Sequence, residues 1–193
     1  MKRDLRQFKK QQAREALFNA ALDLFFKKGF DQTTVDEIAD QAVVSRRTFF
    51  RYYASKEDVL VSWMDDMGVR MQEDLRTNLG TGDPFTALQS AMMKNADALT
   101  ADLDSAIALA RLSFKTPSIK SHHGNKYTNW EKGFAEILSK GKSSPKAHLE
   151  SRLLAARAID ALRISLDIWV EGDFKSDIRA LLLRAFQAVR QAV

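Results

Sequence analysis

The side chains with the clearest chemical potential lie between residues 45 and 51. Ser45 is followed by Arg46, Arg47 and Thr48, and a further arginine, Arg51, lies one helical turn later. Guanidinium and hydroxyl groups donate hydrogen bonds to the phosphates, sugars and bases of nucleic acids. A group of such side chains at the start of one short helix can therefore contact DNA, provided that the rest of the segment turns them outward.

The preceding residues predict a short helix that could support this group. Thr34 can cap its N-terminus, and Glu37, three residues later, completes a capping box. Val35, Ile38 and Ala39 then form an apolar stripe at helical spacing. This helix is expected to end at the break formed by residues 42–44.

A second short helix begins where Ser45 acts as its cap. Phe49 and Tyr53 are an i, i+4 pair that can pack inward on the first helix. Two further i, i+4 pairs are turned away from that contact: Arg46 with Phe50, and Arg47 with Arg51. A helix that packs with one face and exposes arginines on the other meets the requirement for a recognition helix in a DNA major groove.

The distribution of charge favours the same partner. The chain of 193 residues has a net charge of +5. Residues 1–14 carry +5 and residues 45–56 carry +4, so the remainder is slightly acidic. Positive charge gathered at one end is typical of a protein that binds a phosphate backbone. An ordinary solvated basic tail remains the alternative for residues 1–10.

Composition excludes several other classes of protein. There are no cysteines, which excludes disulfides, thiol catalysis and thiolate metal sites. No run approaches the roughly 18 to 20 apolar residues of a membrane span, and the basic N-terminus lacks the apolar segment of a secretory signal. We find no nucleophile motif, phosphate-binding glycine loop or HExxH sequence. The expectation is a cytoplasmic protein that is not an enzyme, with no cofactor, no metal site and no membrane partner.

Helical patterns dominate the whole chain, and no alternating strand pattern of useful length is present. Each of the three prolines follows an Asp, Thr or Ser, which is typical of a helix start. We predict an all-α protein of about nine helices: one over 10–28, the two short helices above, and others near 55–79, 84–99, 102–115, 117–139, 146–171 and 174–191. The expected domains are residues 1–54, an N-terminal arm with a helix-turn-helix, and residues 55–193, for ligand binding and dimerisation.

The last two predicted helices each carry a long apolar stripe. The first stripe contains Leu149, Leu153, Ala156, Ile159, Leu162, Leu166 and Trp169, and the second contains Ile178, Leu181, Leu182, Ala185 and Val189. Two such helices could pair with the same two of a second subunit as a four-helix bundle, giving a homodimer. The alternative is that both stripes close the core of a monomer.

Over about Arg14 to Leu60 the sequence resembles the TetR family of bacterial transcriptional regulators. The resemblance rests on an ordered string of features: Gly29-Phe30, Thr33-Thr34-Val35, Ile38-Ala39, Val44-Ser45, Phe50, Tyr52-Tyr53 and Ser55-Lys56-Glu57. Later segments, RLSFKTPSIK and ARAIDALRISLDIWVEGD, look like the ligand and dimer domain of many members. Two positions depart from the family pattern. Val43 stands where many members have glycine, and Phe50 where many have tyrosine.

The resemblance implies a set of DNA contacts on a double-stranded operator. The implied residues are Thr34, Ser45, Arg46, Arg47, Thr48, Phe50, Arg51, Tyr52 and Lys56. Residues 45–48 would enter the major groove, where an arginine most often contacts guanine O6 and N7. Thr34, Tyr52 and Lys56 would bind phosphates, and the ring of Phe50 would contact a sugar or a thymine methyl. The basic arm before residue 14 would reach the adjacent minor groove.

The expected regulator responds to a small apolar effector. Methionine and aromatic side chains adapt to varied apolar guests, and the candidates for a pocket are Met64, Met67, Met71, Met92, Met93, Phe114, Trp130, Phe134 and Trp169. Plain core packing is the alternative for each. On this hypothesis the effector tilts the helix that begins near Ser55 and releases a palindromic operator. Two other functions remain open: a constitutive architectural DNA-binding protein without an effector, and a helical lipid- or acyl-binding protein whose DNA module is degenerate.

Overall fold

The fold is all-α, as predicted. The structure, a computed structural model, describes residues 2–80 and 82–191, without the side chains of residues 2–7 and 123; Thr81, in the predicted loop 80–82, lies outside the described residues. The described residues form ten helices and no strand: α1 (Lys2–Lys28), α2 (Val35–Gln41), α3 (Arg46–Tyr52), α4 (Lys56–Asn78), α5 (Pro84–Thr100), α6 (Leu103–Lys115), α7 (Pro117–Lys120), α8 (His123–Ser139), α9 (Pro145–Glu171) and α10 (Ile178–Gln191).

The three prolines open helices, as their sequence context predicts. Before α5, Asp83 Oδ1 accepts hydrogen bonds from the backbone N–H groups of Phe85 at 2.9 Å and Thr86 at 3.1 Å. Before α9, Ser144 Oγ accepts from the N–H of Ala147 at 3.1 Å. These caps satisfy amides that no helical carbonyl can reach, and so they set where each helix begins.

The predicted helix over 117–139 is divided into the single turn α7 and the longer α8. The break lies at Ser121 and His122. Ser121 Oγ donates a hydrogen bond to the carbonyl of Ser118 at 2.8 Å. Apolar periodicity alone does not reveal this break, because the apolar residues on either side of it keep their helical spacing.

The N-terminal segment is a helix and not the separate arm that the sequence analysis expects. Helix α1 begins at Lys2 and continues to Lys28 without interruption. Residues 2–28 contain no glycine or proline and are rich in Lys, Arg, Gln, Ala and Leu, which are strong helix formers. Gly29, at a φ of +89°, ends the helix with its N–H bonded to the carbonyl of Phe25 at 3.0 Å.

One apolar core extends through both predicted domains. It is continuous from Leu17 of α1, through Phe49 of α3 and Met71 of α4, to Phe186 of α10. All four of these side chains are fully buried. Helices α1–α3, which carry the predicted DNA contacts and are called the DNA-side helices below, therefore pack on the same core as the remaining helices, the helical body. A movement of either group would disturb the packing of the other.

The turn between α2 and α3 has a strained residue at its centre. Val43 has a φ of +55°, in the left-handed region that a β-branched residue rarely adopts. The N–H of Val43 bonds to the carbonyl of Asp40 at 3.0 Å, and that of Val44 bonds to Ala39 at 2.9 Å. This is the Schellman pattern, which requires a left-handed residue at the position of Val43. The turn keeps the geometry that glycine would favour, although the chain has valine there.

We predict that Val43→Gly stabilises the protein. The Val43 side chain is 91% exposed, so its removal sacrifices no packing. A left-handed residue with a Cβ costs roughly 1–2 kcal/mol, and the extra entropy of unfolded glycine offsets part of the gain, so we expect about 1 kcal/mol in the free energy of unfolding. Chemical denaturation monitored by circular dichroism measures this change.

The matched control is Val69→Gly. Val69 is also exposed, at 61%, but it lies inside α4. The same substitution should there lower the free energy of unfolding by about 0.5 kcal/mol because glycine is a poor helix former. A loss of stability in both variants would contradict the strain assigned to Val43.

Candidate DNA-binding surface and internal cavity

The N-terminus of α2 is fixed by a capping box. Thr34 Oγ1 accepts from the N–H of Glu37 at 3.3 Å, and Glu37 Oε2 accepts from the Thr34 N–H at 2.9 Å and from its hydroxyl at 2.8 Å. The ammonium group of Lys28 pairs with the same carboxylate. The Lys28 hydrogen bond, followed by those of Thr34, lowers the pKa of Glu37 to about 2. The hydroxyl of Thr34, predicted to contact a phosphate, is thus engaged within its own cap.

Helix α3 is capped and packed as the sequence predicts. Ser45 Oγ accepts from the N–H of Thr48 at 3.1 Å and lies 2.9 Å from the Thr48 hydroxyl. Phe49 and Tyr53 are buried, with ring centroids 5.8 Å apart. These contacts hold one face of α3 against the core and leave the other exposed.

The exposed face of α3 has one arginine with a partner on α2 and one without. Arg46 Nη1 donates to both carboxylate oxygens of Asp36, at 2.7 and 2.6 Å, and its guanidinium lies 5.4 Å from the centroid of Phe50. Arg47 is exposed and has no hydrogen-bond or ion-pair partner among the described residues. Arg47 is therefore the major-groove candidate that can meet DNA without first breaking a contact.

The end of α3 has a second pair of predicted contact residues. Arg51 Nη2 donates to the hydroxyl of Tyr52 at 3.1 Å, and the guanidinium lies 4.8 Å from the Tyr52 ring centroid. This contact keeps the guanidinium group of Arg51 beside the Tyr52 ring at the end of α3. The phosphate contact of Tyr52 and the DNA contact of Arg51 stay predictions.

Lys56 has a structural role that the sequence analysis does not foresee. Its Nζ donates to the backbone carbonyls of Phe30 at 2.7 Å, Thr33 at 3.1 Å and Asp31 at 3.3 Å. An ammonium group has three hydrogens, and all three have acceptors here. The predicted phosphate contact would require Lys56 to leave this site, because in the structure it joins the start of α4 to the turn before α2.

Arg14 joins the DNA-side helices to the body. Its guanidinium donates to Ser62 Oγ at 2.9 Å and to Asp66 Oδ2 at 3.0 Å, both on α4. The hydroxyl of Tyr53 donates to the Arg14 carbonyl at 3.3 Å. Helix α1 is thereby bonded both to α4 and to the residue that ends α3.

An apolar cavity of about 60 Å³ lies in the body, between α4, α5, α6, α8, α9 and α10. Five of the predicted pocket residues line it: Met64, Met67, Phe114, Trp130 and Trp169. The other four do not. Met71, Met92 and Phe134 are fully buried in the core, and Met93 packs against it from the edge. Their apolar character serves packing, which is the alternative that periodicity alone could not exclude.

An open groove of about 290 Å³ adjoins the cavity and reaches α1. Trp63, Met67 and Leu99 contribute to both. The groove continues to Phe18 and Leu22 of α1, and the ring of Phe18 stacks on that of Trp63 with centroids 5.9 Å apart and an interplanar angle of 8°. A molecule that fills this space would touch a DNA-side helix and the body at once.

Gly68 allows α4 and α8 to approach closely beside the cavity. A Cβ at this position would collide with the indole of Trp130. The absence of a side chain therefore lets Trp130 lie directly on α4, where it forms part of the cavity wall.

Lys126, the charged residue of the cavity wall, is not among the pocket residues predicted from the sequence. The residue is only 8% exposed, and its Nζ lies 4.2 Å from the ring centroid of Tyr127 and 5.1 Å from that of Trp130. Burial lowers the pKa of Lys126 to about 8, partly opposed by the charges of Asp167 and Asp65. A signal was present, since Lys126 lies one helical turn before Trp130 on the apolar side of α8.

The described residues contain no group of three or more His, Cys, Asp or Glu side chains that could hold a metal ion. In the same part of the chain no helix combines the length and apolar character that crossing a membrane requires.

Comparisons with known proteins agree with this architecture. The family model for bacterial regulatory proteins of the tetR family matches residues 17–62, and the model for the MftR C-terminal domain matches residues 82–193. The HTH-type transcriptional regulator TcmR of Streptomyces glaucescens is 30% identical over 70% of this chain, which spans 62% of the length of TcmR. The fatty acid metabolism regulator protein of Bacillus subtilis is 27% identical, over 86% of this chain and 87% of its own.

A solved structure extends the similarity to the whole fold. The TetR-family transcriptional repressor FadR of Thermus thermophilus, crystallised in complex with lauroyl-CoA, has a TM-score of 0.62 and 25% identity, covering 93% of this chain and 94% of its own. Two family models together match most of the sequence, the first over the segment that contains α2 and α3 and the second over the helical body. The chain therefore belongs to the TetR family of bacterial regulatory proteins.

Proposed function

We propose that this protein is a transcriptional regulator that binds a palindromic DNA operator as a homodimer and is released by a small apolar effector. The observation that carries the proposal is helix α3. Its inner face is buried through Phe49, and its outer face presents Arg47 to solvent without a competing partner. A short supported helix with an available guanidinium is suited to the major groove.

Arg46 can join Arg47 in the groove at low cost. Its ion pair with Asp36 is exposed on both sides, with 61% and 56% of the two side chains accessible. Exposed pairs of this kind contribute roughly 0–1 kcal/mol, so a guanine or a phosphate can displace Asp36. The acidic partner then discourages binding of Arg46 to weak sites, where the replacement contact is poorer.

The proposed dimer uses apolar side chains that the monomer leaves uncovered. The inner parts of the two predicted stripes are buried within the chain, among them Ile159, Leu162 and Trp169 of α9 and Leu182 of α10. The outer surfaces of the same helices still expose Leu149, Leu153, Ile164, Ile168 and Leu183. A second copy could cover them by forming a four-helix bundle. A two-fold dimer places two copies of α3 on the same DNA face, which requires a palindromic site.

The groove beside α1 supports release by an effector. A molecule that enters between Phe18 and Trp63 would separate their stacked rings and change the angle between α1 and α4. Half-sites lie roughly 34–36 Å apart, so a change of a few ångströms in the spacing of the two recognition helices lowers affinity. The lauroyl-CoA complex of the Thermus relative supports an acyl-type effector.

The small size of the cavity favours a second candidate function, a DNA-binding protein without an effector. The internal cavity of about 60 Å³ is only a few times the roughly 10–15 Å³ that one water molecule needs, so a long effector must enlarge it or use the groove as well. If neither occurs, the protein binds DNA constitutively.

The first test of the DNA-binding surface uses Arg47→Ala. We expect it to cost about 1–3 kcal/mol of operator affinity and to flatten the preference for one base position, since a base-reading arginine discriminates as well as binds. Fluorescence anisotropy with operators selected from random duplexes measures both the affinity and the base preference. Arg76→Ala, an exposed arginine at the far end of α4, is the matched control and should leave binding unchanged. Equal weakening on every sequence would mean that Arg47 contacts only phosphates.

The dimer surface is tested with Ile164→Glu. Ile164 is half-exposed in the monomer, so the substitution costs the fold little but places a charge in the proposed interface. We expect a monomer by sedimentation equilibrium and loss of tight operator binding. Val69→Glu, at a comparably exposed apolar position on α4, should remain dimeric. A dimeric Ile164→Glu variant would place the interface elsewhere.

Effector release is tested by titrating the operator complex with straight-chain alcohols of eight to fourteen carbons and with their acyl-CoA counterparts. Trp63, Trp130 and Trp169 line the cavity, so binding should change the tryptophan fluorescence. We expect a compound that changes the fluorescence also to release the DNA. A compound that binds tightly and leaves DNA affinity unaltered supports the constitutive alternative.

A further inference from the structure

Lys126 is the single charged side chain among the described residues that line the internal cavity. The rest of the wall is almost entirely apolar, with Met64, Trp130 and Leu166 among its members. A cation in such surroundings is costly unless an anion or a set of hydrogen bonds compensates it. The wall of the cavity therefore includes a residue whose charge apolar packing cannot compensate.

The protein supplies little compensation for the charge of Lys126. In the described part of the chain Lys126 Nζ forms no ion pair and no hydrogen bond. Asp65 of α4 and Asp167 of α9 act on it only through space. The faces of Tyr127 and Trp130 supply a cation–π contact, which stabilises the ammonium group without neutralising its charge.

The position of Lys126 separates an apolar interior from a polar exterior. The residue also lines a second pocket, of about 130 Å³, together with Asp65, His122, Asn125 and Asn129. Met64 borders both spaces. A ligand with one charged end could place that end at Lys126 and its apolar body among the cavity side chains.

We propose that the effector is an apolar acid whose free carboxylate pairs with Lys126. The inference rests on the proposed function and names the chemical class of its effector. A carboxylate would supply both the charge and the hydrogen-bond acceptors that the ammonium group lacks, whereas a neutral alcohol or a thioester would leave the charge uncompensated. Met64 and Met67 are flexible side chains that can move aside to admit an aliphatic chain.

The experiment compares two ligands of equal chain length, dodecanoate and dodecanol, on the full chain by isothermal titration calorimetry below their aggregation limits. The variants are Lys126→Met, which keeps the length of the side chain, and Lys132→Met, an exposed lysine of the same helix, as the matched control. We expect the wild type and Lys132→Met to prefer dodecanoate roughly ten- to a hundredfold, as for a charge-assisted hydrogen bond. Lys126→Met should lose this preference and still bind dodecanol, which also shows that the variant is folded.

Three outcomes would overturn the proposal: equal affinity of the wild type for both ligands, an undiminished preference in Lys126→Met, and tighter binding of lauroyl-CoA than of dodecanoate with no dependence on Lys126. Operator release is measured separately on the same samples. Dodecanoate that binds through Lys126 without releasing DNA leaves the carboxylate site standing and contradicts the proposed function. If dodecanol releases the DNA as readily as dodecanoate does, and Lys126→Met responds in the same way, the proposed function stands and the carboxylate site is contradicted.

Discussion

The contact between α1 and α4 is the interaction on which the rest of the structure depends. Arg14 supplies its polar half through Ser62 and Asp66, and the stacked rings of Phe18 and Trp63 supply its apolar half. Each half alone is modest, since partly exposed ion pairs and single ring contacts contribute about 1 kcal/mol apiece. Together they hold α1, and with it α2 and α3, against the body at one angle.

The body combines a well-filled core with one imperfect region. Helices α4 and α8 pack on each other through a continuous cluster in which Met71, Leu75 and Phe134 are fully buried. The cavity beside them has apolar walls and a buried cation, Lys126, so packing and charge are both incomplete at the same place. Local deficits of packing and charge of this kind are found preferentially at functional sites.

Much of this architecture could be predicted from local sequence signals, because caps, prolines and helical stripes act over a few residues. The all-α fold, the helix starts at Pro84 and Pro145, and the inward faces of Phe49 and Tyr53 followed in this way. Contacts between distant segments could not be predicted from such local signals. The carbonyl partners of Lys56 lie 23 to 26 residues earlier. The choice between cavity wall and core for methionines and aromatics likewise depends on how six helices meet, which no single stripe encodes.

The hydrogen bonds of Lys56 couple the first turn of α4 to the turn before α2. Its 23 residues span about 34 Å at 1.5 Å per residue, so a tilt of about 5° around the far end displaces the first turn by about 3 Å. Lys56 lies in that first turn and holds the carbonyls of Phe30, Asp31 and Thr33. A displacement of that size would also move the turn before α2, because these hydrogen bonds attach that turn to Lys56. Lys56, which is also predicted to contact the DNA backbone, would then be the link through which a small tilt of α4 moves the turn before α2.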